Sequence, residues 1–278
     1  ENLVVVARDD GSSDATPELL MGFAIGYTEH IHVVKADGNN LGASGSFSFL
    51  VNYVLKHKDR LGLGPAYMAF CDQDDIWECR KLSLTMAAML KAESEQPGKP
   101  VLVHSDLEVV DETSQPIAES LARFQGLETQ RNSFPNMAIS NLVTGCTALI
   151  NEALANRAMP VSEQAIMHDW WLALVASAFG RVVYLDQPLV HYRQHGSNTI
   201  GAKEFIQPEP SSLSFWRRVL GRKVNEHLLE VAVQAGAFLR RYRNELTFRD
   251  RVALRLCSGM KVQIGIVQRL FYRLARRF

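Results

Sequence analysis

The chain has 278 residues, 47% of them hydrophobic, enough apolar material for one large domain or two small ones. Its 30 basic and 30 acidic residues cancel, so overall charge points neither to a nucleic-acid binder nor to an acidic solvating protein. Cys71, Cys79, Cys146 and Cys257 form no CxxC pair and no metal-ligand spacing, which argues against a disulfide framework or zinc knuckle and for a reducing compartment. No apolar run reaches the roughly 18 residues of a membrane span, and the N-terminus lacks the regions of a signal peptide.

Residues 2–8 form a valine-rich run that ends in Asp9-Asp10-Gly11-Ser12-Ser13-Asp14, the punctuation of a strand giving way to a turn. Asp14 and Pro17 open a predicted helix through about Tyr27. Strands are then predicted at 31–35, 66–72 and 100–106, with helices at Gly42–Lys56 and Glu78–Lys91 between them. This alternation predicts an α/β domain with a mostly parallel sheet and helices on both faces. A polar stretch (111–137), an apolar run LVTGCTALI (142–150), a helix beginning near Asp169 and a strand-like segment (181–195) follow. From about Ser212 the chain reads as helices, and residues 212–278 hold 15 of the 30 basic residues against four acidic ones, Glu226, Glu230, Glu245 and Asp250.

In open α/β sheets ligands bind beyond the carboxyl ends of the strands, and those positions are acidic here: Asp9 and Asp10, then Asp72, Asp74 and Asp75, then Asp106. In Cys71-Asp72-Gln73-Asp74-Asp75-Ile76-Trp77, carboxylates at i and i+2 can converge on one hard cation, and Mg²⁺ typically takes one or two carboxylates with its substrate's phosphates. A solvated acidic turn is the plain alternative. The first acidic turn reads equally as a helix start and cap. Two acidic strand ends in one sheet can flank a nucleotide, one reading base or ribose and the other holding metal and diphosphate. No GxSxG and no Cys/His pairing points to a covalent nucleophile. Asp169 reads locally as a helix cap as well as a base. His191 alternates with apolar neighbours and is expected to be a satisfied core residue. Trp170 and Trp171 are not both expected to face the core from one helix, and Trp77 is expected to pack under the acidic loop.

VVVARDDGSSDAT (4–16), NNLGASGSFSFL (39–50), CDQDDIW with KL (71–82), HSDLEVVDETSQPI (104–117), NLVTGCTALI (141–150), MHDWW (167–171) and HYRQHGSNTIG (191–201) resemble, in order and spacing, the family-two glycosyltransferases of GT-A fold. QDDIW, HDWW and YRQHGSN are most similar to the bacterial branch described as rhamnosyltransferases of O-antigen and capsule assembly. The resemblance implies a Rossmann-like GT-A domain over residues 1–205, followed by a basic amphipathic helical extension over 206–278. It implies inverting, metal-dependent transfer with Mg²⁺ or Mn²⁺. The donor would be a nucleoside-diphosphate sugar such as dTDP-rhamnose, and the acceptor a saccharide or lipid-linked saccharide of a cell-surface polysaccharide. Asp9, Asp10, Asn40, Gly42 and Asp72 would bind the nucleotide. Asp72 and Asp74 would form the DxD motif, with Asp74 in direct metal contact and His195 a further ligand. Asp169 would be the catalytic base, and His168, Trp170 and Trp171 would lie on the acceptor side.

The family's first strand and following helix would precede Glu1 and are expected to be absent, and Glu78-Cys79 stands where the family usually has proline. A sugar nucleotidyltransferase would use a similar metal site, but HDWW argues against it. A non-catalytic sugar-nucleotide-binding protein is opposed by the presence of both Asp74 and Asp169. The tail intersperses aromatic and leucine pairs with Arg217, Arg218, Arg222, Lys223, Arg240 and further arginines, a pattern suited to an anionic membrane surface or to an ordinary solvated appendage. The expected location is cytoplasmic, peripheral on the inner face of a bacterial plasma membrane, with no nucleic-acid partner.

Overall fold

The computed structural model describes residues 3–35, 38–195 and 224–277. Motif residues 196–201 and Arg217, Arg218, Arg222 and Lys223 lie outside them. β1 (Val5–Arg8) and β2 (Ile31–Val34) pair in parallel, linked by α1 (Thr16–Gly26), and α2 (Gly42–His57) follows. Next come β3 (Tyr67–Ala69), β4 (Ile76–Trp77), α3 (Lys81–Glu95), β5 (Val101–Val110) and β6 (Pro116–Ala118). The short helices α4 (Leu121–Phe124) and α5 (Phe134–Met137) and a 3-10 turn (Gly145–Thr147) lead into β7 (Ala148–Asn151). The chain continues through α6 (Glu152–Ala158), α7 (His168–Phe179) and β8 (Arg181–Arg193), and after the undescribed stretch through α8 (Glu226–Tyr242), α9 (Phe248–Gly259) and α10 (Gly265–Ala275).

The result is a mixed α/β fold with a C-terminal helical part. β3, β7, β5, β8 and β4 lie side by side in that order, and β6 also pairs with β5. The parallel pairing expected from strand–helix alternation holds for β1/β2 and β5/β8. β7 instead lies antiparallel to both β3 and β5, β4 antiparallel to β8, and β6 antiparallel to β5. The physical reason is local for β4: it runs opposite to β3, so the chain reverses direction across the acidic residues between them. That reversal ends β3 at Ala69 and adds the two-residue strand β4, and the helix expected from Glu78 starts at Lys81. Among the described residues β1 pairs with β2 and β3 with β7, so each carries an edge without a strand partner.

β5 is apolar on both faces, with Val101, Leu102 and Val103 wholly buried, as a central strand covered on both sides requires. One face packs on α3 through Met89, and the other on α7. Residues 168–176 of α7 are all buried, the signature of a helix enclosed on every side. Both tryptophans therefore point inward. Trp171 meets Phe238 of α8, and Trp170 Nε1 donates to the Met137 carbonyl at 2.7 Å. The expectation that one of them faces outward is corrected: α8 covers the face that would otherwise have met solvent, so the C-terminal helices share the core.

Two junctions hold the layers in place. Asn151, 2% exposed, accepts from Leu154 N at 2.9 Å as the cap of α6 and from Val101 N at 3.0 Å, and donates to Glu93 at 2.8 Å and the Lys99 carbonyl at 2.9 Å. Gly180 closes α7 where a Cβ would stand 1.8 Å from the Pro100 carbonyl oxygen. By contrast, α1 has no buried residue and leaves Leu19, Met21, Phe23, Ile25 and Tyr27 exposed.

Candidate active site

The acidic turn between β3 and β4 is the most charged part of the site. Asp72, Asp75 and Cys146 place one ligand atom each within 4.8 Å of one another. Asp75 Oδ1 accepts from Arg193 N at 3.2 Å, while its buried Oδ2 has no hydrogen-bond partner among the described residues. Burial, reinforced by the charges of Asp75 and Asp74, pushes the Asp72 carboxyl up to about 6. Burial also raises Asp75, and it holds the Cys146 thiol well above the usual range, so the thiol is protonated and hydrogen-bonds Asp75. Carboxylates strained in this way are short of positive charge. Two carboxylates with an open oxygen fit a hard divalent cation such as Mg²⁺ or Mn²⁺ shared with substrate phosphates, and the protonated thiol serves as a donor beside them.

Asp74 is turned elsewhere. Its Oδ2 meets His195 Nε2 at 2.6 Å, so the geometry pairs Asp72 with Asp75 and sets Asp74 with His195 next to them. Arg193 ties the end of β8 to this turn: Nε donates to the Asp74 carbonyl at 3.0 Å, and Nη1 to the Glu112 carbonyl at 2.8 Å and Ser114 Oγ at 3.0 Å. Below the turn Lys81 is only 1% exposed, its Nζ 3.4 Å from the Trp77 ring centroid, and burial lowers its pKa to about 8. Trp77 thus packs under the loop through a cation–π contact. Farther along β8, His191 is half-buried between Glu108 at 2.5 Å and Glu78 at 2.8 Å, and these carboxylates raise its pKa despite burial.

Asp169 sits in the first turn of α7, whose N-cap is Met167. Its Oδ1 accepts from Trp170 N at 2.5 Å and from Asn141 Nδ2 at 3.2 Å, and the Gly145 N–H also bonds the carboxylate. Asn141 is itself fixed by two bonds to the Val143 backbone, at 2.8 and 3.0 Å. Burial pushes Asp169 up to about 7, and the Asp72 charge adds to the rise. Its carboxylate is therefore poised to gain or lose a proton near neutrality. His168, beside it, is buried with its ring against Phe47 and Phe70.

Asp9, Asp10, Asn40 and Gly42 cluster at the ends of β1 and β2. Asp9 accepts from Gly11 N at 3.1 Å and Ser12 N at 3.2 Å, and its hydrogen bond with the Ser12 hydroxyl holds its carboxyl low. Asp10 accepts from Leu41 N at 2.8 Å and from the Arg8 guanidinium, which also reaches Ser46 Oγ at 2.8 Å and the Asn39 carbonyl at 2.7 Å. Asn40 Nδ2 donates to the Asp10 carbonyl at 2.9 Å and its Oδ1 receives Gly42 N at 3.1 Å. Gly42 has φ 66°, a left-handed conformation that favours glycine. α2 links this cluster to the acidic turn, because Phe47 packs edge-on against Phe70 at 5.4 Å, two residues before Asp72.

The site thus gathers Asp72, Asp74, Asp75, His195, Asp169 and His168 around the acidic turn and leaves Trp170 and Trp171 in the core. Asp75 is named in the acidic constellation of the sequence without a role of its own, and Arg193, Lys81, Asn141, Gly145 and Arg8 are not among the sequence-derived site residues. Each lies within or next to a quoted motif, but only the fold shows which atoms they touch. No curated protein sequence matches the chain. The family model described as Glycosyl transferase family 2 matches residues 1–155, a span that includes both acidic turns and more than half of the chain. The chain therefore belongs to the family-two glycosyltransferases, which move sugars from nucleotide-sugar donors to acceptors.

Proposed function

We propose that this glycosyltransferase works with inversion and with a divalent cation, and that Asp169 is its base. The observation that carries this reading is the buried Asp169 carboxylate, held by Asn141 and Gly145 and close enough to Asp72 to feel its charge. Such a carboxylate can take the proton from an acceptor hydroxyl as that oxygen attacks the anomeric carbon from the face opposite the leaving nucleotide. Asp72 and Asp75 would hold Mg²⁺ or Mn²⁺, which offsets charge on the departing diphosphate. His195 and Arg193 keep Asp74 and the turn in register. Asp10, Asn40 and Gly42 form the nucleotide side, with Arg8 fixing Asp10 from below.

The donor we favour is dTDP-rhamnose, and the acceptor a growing surface polysaccharide such as O-antigen or its lipid-linked precursor, on the strength of the QDDIW and HDWW motifs. The C-terminal helices supply a route to a lipid-linked acceptor. On α10, Ile266, Leu270 and Leu274 are exposed beside Arg273, with Arg277 just past the helix end. Among the described residues no helix is long and apolar enough to cross a membrane. From its exposed apolar and basic side chains we propose that this face lies on an anionic bilayer surface.

Calorimetric titration of dTDP, UDP and GDP, each with Mn²⁺, Mg²⁺ or chelator, tests the reading. Cation-dependent binding of one nucleotide, lost in Asp72→Ala and Asp75→Ala, is expected. Equal affinity with and without chelator would remove the metal, and no binding of any nucleotide would remove the donor side altogether.

A further inference from the structure

His168 is 3% exposed, and among the described residues neither Nδ1 nor Nε2 has a hydrogen-bond partner. Buried polar atoms in native proteins are paired in the great majority, so an orphaned imidazole in a core requires an explanation. Packing alone does not supply it, because the slot is aromatic: the ring lies 4.5 Å from Phe47 and 5.1 Å from Phe70, centroid to centroid, and phenylalanine would fill such a slot at no polar cost. The ring nitrogen also has a defined neighbour. A Cβ on Gly145 would stand 3.0 Å from His168 Nε2 and 3.6 Å from Asp169 Oδ2. Nε2 and the Asp169 carboxylate thus both border Gly145, where a larger residue would press on the imidazole. Burial keeps the ring neutral, lowering its pKa to about 4, so one nitrogen donates and the other accepts.

We infer that His168 Nε2 is the hydrogen-bonding partner of a sugar hydroxyl of the bound substrates, beside the oxygen that Asp169 deprotonates. This rests on the glycosyl-transfer reading. A carboxylate and a ring nitrogen side by side suit two hydroxyls on neighbouring carbons of one sugar, or one hydroxyl of the acceptor and one of the donor. Phe47 and Phe70 hold the ring in place, and Asp169 remains the base because the imidazole is too weakly basic for that role.

The test compares His168→Gln, which can place an amide nitrogen near Nε2, with His168→Asn and His168→Phe, which cannot. Dissociation constants for dTDP and dTDP-rhamnose (and for UDP, UDP-glucose, GDP and GDP-mannose) with Mn²⁺ are measured beside donor consumption with octyl glycosides as acceptors and melting temperatures. The Asn and Phe variants are expected to bind the bare nucleotide as wild type does. They should lose about tenfold or more either in nucleotide-sugar affinity, which places the hydroxyl on the donor, or in KM for the octyl glycoside, which places it on the acceptor. Gln should restore most of that loss. The Phe variant should melt at or above the wild-type temperature, because neither ring nitrogen has a bond to lose among the described residues, so any loss of affinity or turnover is not a loss of fold. Wild-type affinities and turnover in all three variants would overturn the inference alone. A wild-type protein that neither binds a nucleotide sugar nor consumes one would overturn the glycosyl-transfer reading and this inference with it.

Discussion

Replacing Asp169 with asparagine should weaken the enzyme and strengthen the fold, in opposite directions that can be measured on one sample. A carboxyl raised from 3.8 to about 7 is neutral in both folded and unfolded chains below about pH 4. Between pH 4 and 7 the unfolded carboxyl ionises first, so the folded state loses stability as pH rises, by at most about 4 kcal/mol for a three-unit shift. Asparagine keeps the shape and removes the ionisation, but its amide would face the Asn141 and Gly145 donors, a mismatch of about 1–2 kcal/mol. The net gain should be about 2–3 kcal/mol at pH 8, and it should vanish or turn into a small loss at pH 4.5. Urea unfolding at both pH values, in chelator, reads the difference. Donor consumption by the same variant should fall by about 10²–10⁴-fold, the usual contribution of a general base. A variant no more stable than wild type at pH 8 would show that burial does not raise Asp169, and undiminished turnover would show that it is not the base.

Asn151→Ala removes four hydrogen bonds, the cap of α6 among them, and leaves Val101 N unsatisfied in the core; a loss of about 3–5 kcal/mol is expected from chemical unfolding. Gly180→Ala places a Cβ 1.8 Å from the Pro100 carbonyl, so the variant should lose most of its soluble yield or melt far below wild type. Asp75→Asn should weaken nucleotide binding in Mn²⁺ while leaving binding in chelator unchanged by calorimetry. Leu270→Glu on the exposed face of α10 should abolish sedimentation with phosphatidylglycerol vesicles while leaving donor consumption in solution intact.

Local pattern carried the strand–helix alternation of the first hundred residues, because β1, α1, β2 and α2 owe their form to short-range periodicity and turn chemistry. It missed β4, where the Asp72–Asp75 turn reverses the chain, and it missed the antiparallel β7, since strand direction is decided by where the polar stretch re-enters the sheet. The site shows the same division. Asp10, Asn40 and Gly42 meet as their motifs suggest, and Asp169 lies near Asp72. Which of Asp74 and Asp75 lies against Asp72 and Cys146 goes with the contacts to Arg193 and His195, more than a hundred positions away, and the inward face of both tryptophans depends on α8. Neither distance leaves a mark in local spacing.

The bare surface of α1 has a colloidal consequence. Its exposed Leu19, Met21, Phe23 and Ile25, with Tyr27 just past its end, stand close in sequence to a β1 edge that lacks a strand partner among the described residues. Uncovered apolar side chains and open strand edges are the two features through which proteins stick to copies of themselves. In a tube this chain should therefore self-associate as its concentration rises, and its useful working range should be set by this corner of the molecule and not by the stability of its core.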